Sequence, residues 1–186
     1  MGDGTFTATM TARSSASPAS VYDLLADIGS HLVWAGEQQD KRYRLTSIEA
    51  PGGQAAVGTA WTSTGLVPMS RAHWEDRSTV ITAERPRLFE FITEGRVAVR
   101  KPMTATFLNR YLITPDGEGC RVTHQLRVVE VINPMLRLRY PMRIAVLKFG
   151  VPLSSGRGLR NLLRMAELRE ASSVADSAGG VVIPAG

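Results

Sequence analysis

Hydrophobic positions along the chain change period three times, and each change marks a boundary between kinds of element. Residues 5–13 alternate threonine with another residue, the period-two pattern of a strand. Ser17 then stands as an N-cap before Pro18 at the first helical position. Val21, Leu24, Leu25 and Ile28 follow at i, i+3, i+4 and i+7, which predicts a short helix ending at Gly29, with a second helical turn over 30–34. Alternation returns from Tyr43. Strands are predicted over 43–49, 57–63, 69–75 and 79–84, the last two as a hairpin across Asp76-Arg77. Phe89-Glu-Phe91 opens another strand after Pro86, and 104–114 pairs with 121–132 across the turn Pro115-Asp-Gly-Glu-Gly119.

The last third is helical in pattern. Residues 134–149 are apolar and basic and are interrupted by Pro141, a helix breaker. Gly156 and Gly158 read as a loop or a weak first turn, after which Leu159, Leu162, Leu163 and Ala166 form one apolar stripe. The order is a strand, one or two short helices, about six strands and a long C-terminal helix, a sheet of six or seven strands in all. Consecutive short strands with segregated helices predict an α+β fold on an antiparallel sheet. Such a sheet curves, and the amphipathic last helix is the element available to fill its concave face. One domain is expected over 1–171, with a flexible tail of small residues over 172–186.

Composition narrows the function classes. A 186-residue chain with 44% hydrophobic residues can bury a full core without staples. Its single cysteine, Cys120, excludes an internal disulfide framework and fits a reducing cytoplasm, the expected location. The longest aliphatic run, 144–147, is far too short to span a bilayer, and residues 1–6 lack the pattern of a secretory signal. The net charge of +5 is local. Residues 1–133 balance fourteen basic against fourteen acidic side chains, whereas 134–186 carry eight against three. A patch without a recognition motif, in a chain with 6% aromatics, argues against nucleic acid as a partner. No metal site is expected either. Cys120 and His124 lie about 13 Å apart along an extended strand, and His73 with Glu75 has no third ligand nearby. With no phosphate-binding loop and no nucleophile elbow, the sequence calls for no cofactor.

Five segments together resemble the START-like (SRPBCC) superfamily, in its bacterial polyketide cyclase/dehydrase and lipid-transport branch. They are Ser17-Pro-Ala-Ser-Val-Tyr-Asp-Leu-Leu-Ala-Asp27, Val57-Gly-Thr59, Glu84-Arg-Pro-Arg-Leu-Phe-Glu-Phe91, the hairpin from Tyr111 to His124, and the helix from Leu159 to Glu170. The resemblance spans about residues 5–171 and implies a helix-grip fold, a curved sheet wrapped around the C-terminal helix. It also implies an internal cavity, and it places Trp34 at the cavity rim.

Strand parity selects the side chains that would line such a cavity. Val122, Leu126 and Val128 mark one apolar face, and His124 and Glu130 share their parity. Phe107, Asn109 and Tyr111 form the matching face of the preceding strand, and Phe89 and Phe91 point the same way. Phe89, Phe91, Phe107, Asn109, Tyr111 and His124, with Trp34, Trp61, His73 and Leu163, make the candidate ligand-binding set. A mainly apolar pocket with a few directional polar groups is the usual lining for a small molecule. His124 is the candidate catalytic residue, since an imidazole titrates near neutrality.

Three readings follow. The first is binding or carriage of a hydrophobic small molecule (a lipid, fatty-acyl or polyketide-like compound) between sheet and helix. The second, implied by the resemblance, is a polyketide cyclase/aromatase-dehydratase. The third is a docking module in which basic segment 134–148 contacts an anionic membrane or an acidic protein.

Overall fold

The computed structural model describes residues 6–35, 44–66, 73–97, 103–132 and 151–178. Strand β1 (Phe6–Ser14) leads into α1 (Pro18–Ala26), a 3-10 turn (Ile28–Ser30) and the one-turn α2 (His31–Trp34). Six strands follow: β2 (Arg44–Glu49), β3 (Ala60–Leu66), β4 (His73–Glu84), β5 (Leu88–Val97), β6 (Met103–Asp116) and β7 (Gly119–Ile132). The long α3 (Val151–Ala178) closes the order. Every pairing is antiparallel, in one open, curved seven-stranded sheet ordered β1-β7-β6-β5-β4-β3-β2. This is the expected α+β helix-grip architecture.

Local chemistry starts and joins these elements. Ser17 caps α1 by accepting a hydrogen bond from the Ser20 backbone N–H at 3.2 Å, with Pro18 behind it, so one orphan donor of the first turn is satisfied. Helix α3 buries Leu159, Leu162, Leu163 and Ala166 in the same core as Ala8, Met10, Val21, Leu24, Leu25 and Val122. Two glutamates one turn apart fasten its far half. Glu167 Oε1 accepts from the Ser14 hydroxyl at 2.7 Å and the Ser15 N–H at 3.0 Å, and Glu170 Oε2 accepts from the Ser17 N–H at 2.8 Å. Arg85, between β4 and β5, grips Asp23 of α1 through two bonds of 2.7 and 2.9 Å. At the β6–β7 turn Gly119 lies so close to β1 that a Cβ there would fall 2.0 Å from the Ser14 carbonyl oxygen, so only glycine fits.

The structure corrects the sequence reading at several points. The hairpin expected across Asp76-Arg77 does not form: β4 runs unbroken from His73 to Glu84, with Asp76 and Arg77 in ladder positions. The strand expected at 57 begins at Ala60, because Gly58 takes a turn conformation with φ +87°. Helix α3 runs through Gly156 and Gly158 and on to Ala178, into the segment expected to be tail. A bulge between Thr106 and Phe107 leaves Val129 without a partner and pairs Glu130 with Thr106, turning Glu130 to the exposed outer face. The segment 134–148, read as a docking patch, lies outside the described residues.

Candidate functional site

Cross-strand register lays the inner face out in rows. One row runs Met10, His124, Tyr111 and Phe89 across β1, β7, β6 and β5; the next runs Ala8, Leu126, Asn109, Phe91 and Val80. Phe6, Val128, Phe107, Thr93, Ser78 and Trp61 follow, and beyond them Gly95, Asp76 and Ser63. Alternation along each strand sends these side chains to the helix side and their neighbours to the outer face.

Aromatic rings join the first rows into a continuous wall. Trp34 packs on His31 with ring centroids 4.6 Å apart, and His31 lies 6.1 Å from Trp61. Trp61 meets Phe91 edge-on at 5.1 Å, Phe91 stacks with Tyr111 at 6.3 Å, and Tyr111 lies flat on His124 at 4.1 Å and 4°. Phe89 continues the wall to Tyr22 of α1 at 5.8 Å. Trp34, Trp61, Phe89, Phe91, Tyr111, His124 and Leu163 are all buried, and Phe107 and Asn109 are half-buried. His73 is the exception among the candidates. It is exposed and faces outward, because unbroken β4 puts Trp74 on the inner face instead.

The polar groups on this wall are few. His124 is 4% exposed, and its Nε2 lies 3.1 Å from Asn109 Oδ1. Its Nδ1 is buried and has no hydrogen-bond partner among the described residues. Desolvation holds the ring neutral by depressing its pKa to about 3. The Tyr111 hydroxyl is likewise pushed up by burial and stays protonated. Ser78 and Thr93 satisfy each other at 2.8 Å.

Two groups escaped sequence reasoning. His31 on α2 is buried, donates Nε2–H to the Leu25 carbonyl at 2.8 Å, and is held neutral by burial at about 4. Nothing in a one-turn helix distinguishes it in advance. Asp76 faces the sheet interior beside Gly95 and Ser63, and desolvation alone lifts its carboxyl to about 7. A Cβ on Gly95 would lie 2.5 Å from Asp76 Oδ1, so the missing side chain is the space the carboxylate occupies. The signal is an aspartate opposite a glycine across two strands, which a turn at Asp76-Arg77 would not bring together.

The outer face has a different character. A groove of about 340 Å³ across β2–β5 is lined by Glu49, Thr62, Glu75, Arg77, Glu94 and Arg96, among others. Register sets Glu75 opposite Arg96 and Arg77 opposite Glu94, the alternation of a solvated sheet face. No cluster of three or more potential metal ligands occurs among the described residues. Nor is any described helix long and apolar enough to cross a membrane.

Comparison with known proteins agrees with this geometry. The family model described as polyketide cyclase/dehydrase and lipid transport matches residues 5–167. Among solved structures, a Staphylococcus aureus protein of unknown function superposes with TM-score 0.62 at 9% identity, over 90% of this chain and 96% of that one. A Mycobacterium smegmatis protein gives 0.59 at 16% identity over 86% and 89%, and a Thermus thermophilus protein 0.57 at 15% over 87% and 97%. At such identities the likeness is one of fold. No curated protein matches the sequence significantly.

Proposed function

Because the chain belongs to the polyketide cyclase/dehydrase and lipid-transport family, we propose that it binds and carries a hydrophobic small molecule between the concave face and α3. The observation that carries this reading is the aromatic wall from Trp34 to His124, a continuous apolar lining of the concave face with few directional polar groups. Carriage is favoured over turnover by the state of His124. A ring held neutral down to about pH 3 does not exchange protons near neutrality, as a general acid/base must. Native mass spectrometry of the protein isolated from its own host tests the proposal. A retained lipid, fatty-acyl or polyketide-like molecule is expected. Protein that emerges empty, and that takes up no Nile red while folded, overturns it.

One observation favours the cyclase/dehydratase reading. Asp76, held at about 7, is an inner-face group able to exchange a proton at neutral pH. In that case Asp76→Asn keeps Nile red binding and loses turnover in a cyclisation assay. Full turnover in the variant removes Asp76 from the chemistry.

A further inference from the structure

His124 has two ring nitrogens, and the fold uses one. Asn109 presents its amide oxygen, an acceptor only, 3.1 Å from Nε2, so Nε2 carries the hydrogen and donates it. A neutral imidazole has one N–H, and Nδ1 is therefore a bare lone pair. It is buried without a partner among the described residues, a rare condition for a polar atom in a folded chain. The ring cannot easily turn to relieve it, because Tyr111 lies flat against one face. On its other sides, the row neighbour Met10 and the column neighbours Val122 and Leu126 supply no donor.

We infer that His124 Nδ1 is the polar anchor for a hydroxyl group on an otherwise apolar ligand. This rests on the carrier reading above and specifies its ligand class. An alcohol or phenol donates the missing hydrogen bond. A ketone, ester, ether or ionised carboxylate brings only lone pairs to a lone pair and is disfavoured. An ammonium would donate, but it would be a charge among apolar neighbours. The site therefore selects neutral hydroxylated molecules over keto, ether or acid analogues of the same shape.

β-Naphthol and its methyl ether differ in this one donor and serve as probes. Calorimetry on the full chain should show the naphthol binding about tenfold more tightly. On ¹⁵N-histidine-labelled protein, the His124 Nδ1 resonance should move upfield with the naphthol and stay put with the ether. His124→Phe keeps an aromatic ring against Tyr111 and should abolish the preference for the naphthol over the ether. Should that variant fail to fold, the wild-type pair and the nitrogen shift decide alone. Equal affinities, or a preference with no movement of Nδ1, overturn the hydroxyl assignment and leave the carrier reading standing. If neither probe binds, the hydroxyl assignment fails, and Nile red uptake decides the carrier reading separately.

Discussion

Half-buried Asp76 and the buried His31 and His124 are ionisable side chains whose proton equilibria pull stability in opposite directions. Both histidines have folded pKa values below the ordinary 6.5, about 4 and about 3, so the unfolded chain takes up protons that the fold refuses. Their contribution is complete above pH 6.5 and is lost as pH falls below it. Asp76 is raised to about 7 from 3.8, so the fold holds a proton that the unfolded chain releases, and stability is gained as pH falls from 7 to 4. Between pH 6 and 4.5 two losses meet one gain. Denaturation in that window should show stability falling by about 1.4 kcal/mol per pH unit on acidification. Asp76→Asn removes the opposing proton and should steepen the fall to about 2.7 kcal/mol per unit. An unchanged slope would mean that the carboxyl is not desolvated. Only the histidine on β7 was legible beforehand. Parity put His124 inward from its own strand, but Asp76 needs the unbroken length of β4, and the turn-forming character of aspartate argued for a break.

At the scale of elements, α3 is held on one side by hydrophobic burial and at its far half by carboxylates. Its stripe, Leu159, Leu162, Leu163 and Ala166, was readable from period alone, because helix spacing survives whatever the neighbours are. The glutamates were not, since Glu167 and Glu170 look like any solvated pair until β1 and α1 are placed beneath them. The double substitution Glu167→Ala, Glu170→Ala should destabilise by about 2–4 kcal/mol in urea denaturation, the worth of a few charge-assisted bonds. It should also raise hydrogen exchange in α3 ahead of the sheet. Deleting 155–171 goes further and exposes the inner face, and the expected result is aggregation. A soluble truncation with a cooperative melt would contradict the helix's role as the plug.

For the whole molecule, strand count, turn signals and the terminal helix led to the fold, whereas the face of each side chain depended on details that period cannot carry. One bulge reversed Glu130, and one continuous strand exchanged His73 for Trp74 on the interior. The pairing of β1 with β7 has a consequence for how the protein is made. Ser14 meets Cys120 and Phe6 meets Val128, so the first strand stays without its partner while the sheet's other strands are synthesised. At 5–20 residues per second that wait lasts roughly 5–20 s on the ribosome. The meander from β2 to β7 needs only neighbouring contacts and can assemble meanwhile, whereas β1 closes the longest loop. Pulse-labelled hydrogen exchange during refolding should therefore protect β4–β6 amides before those of β1; simultaneous protection would refute the order. The composition of β1 suits the delay: its outward positions Thr7, Thr9, Thr11 and Arg13 are polar, and inward Ala8 and Ala12 are small, which leaves Phe6 and Met10 as its large apolar side chains. A waiting strand of this kind offers a nascent-chain neighbour little to stick to.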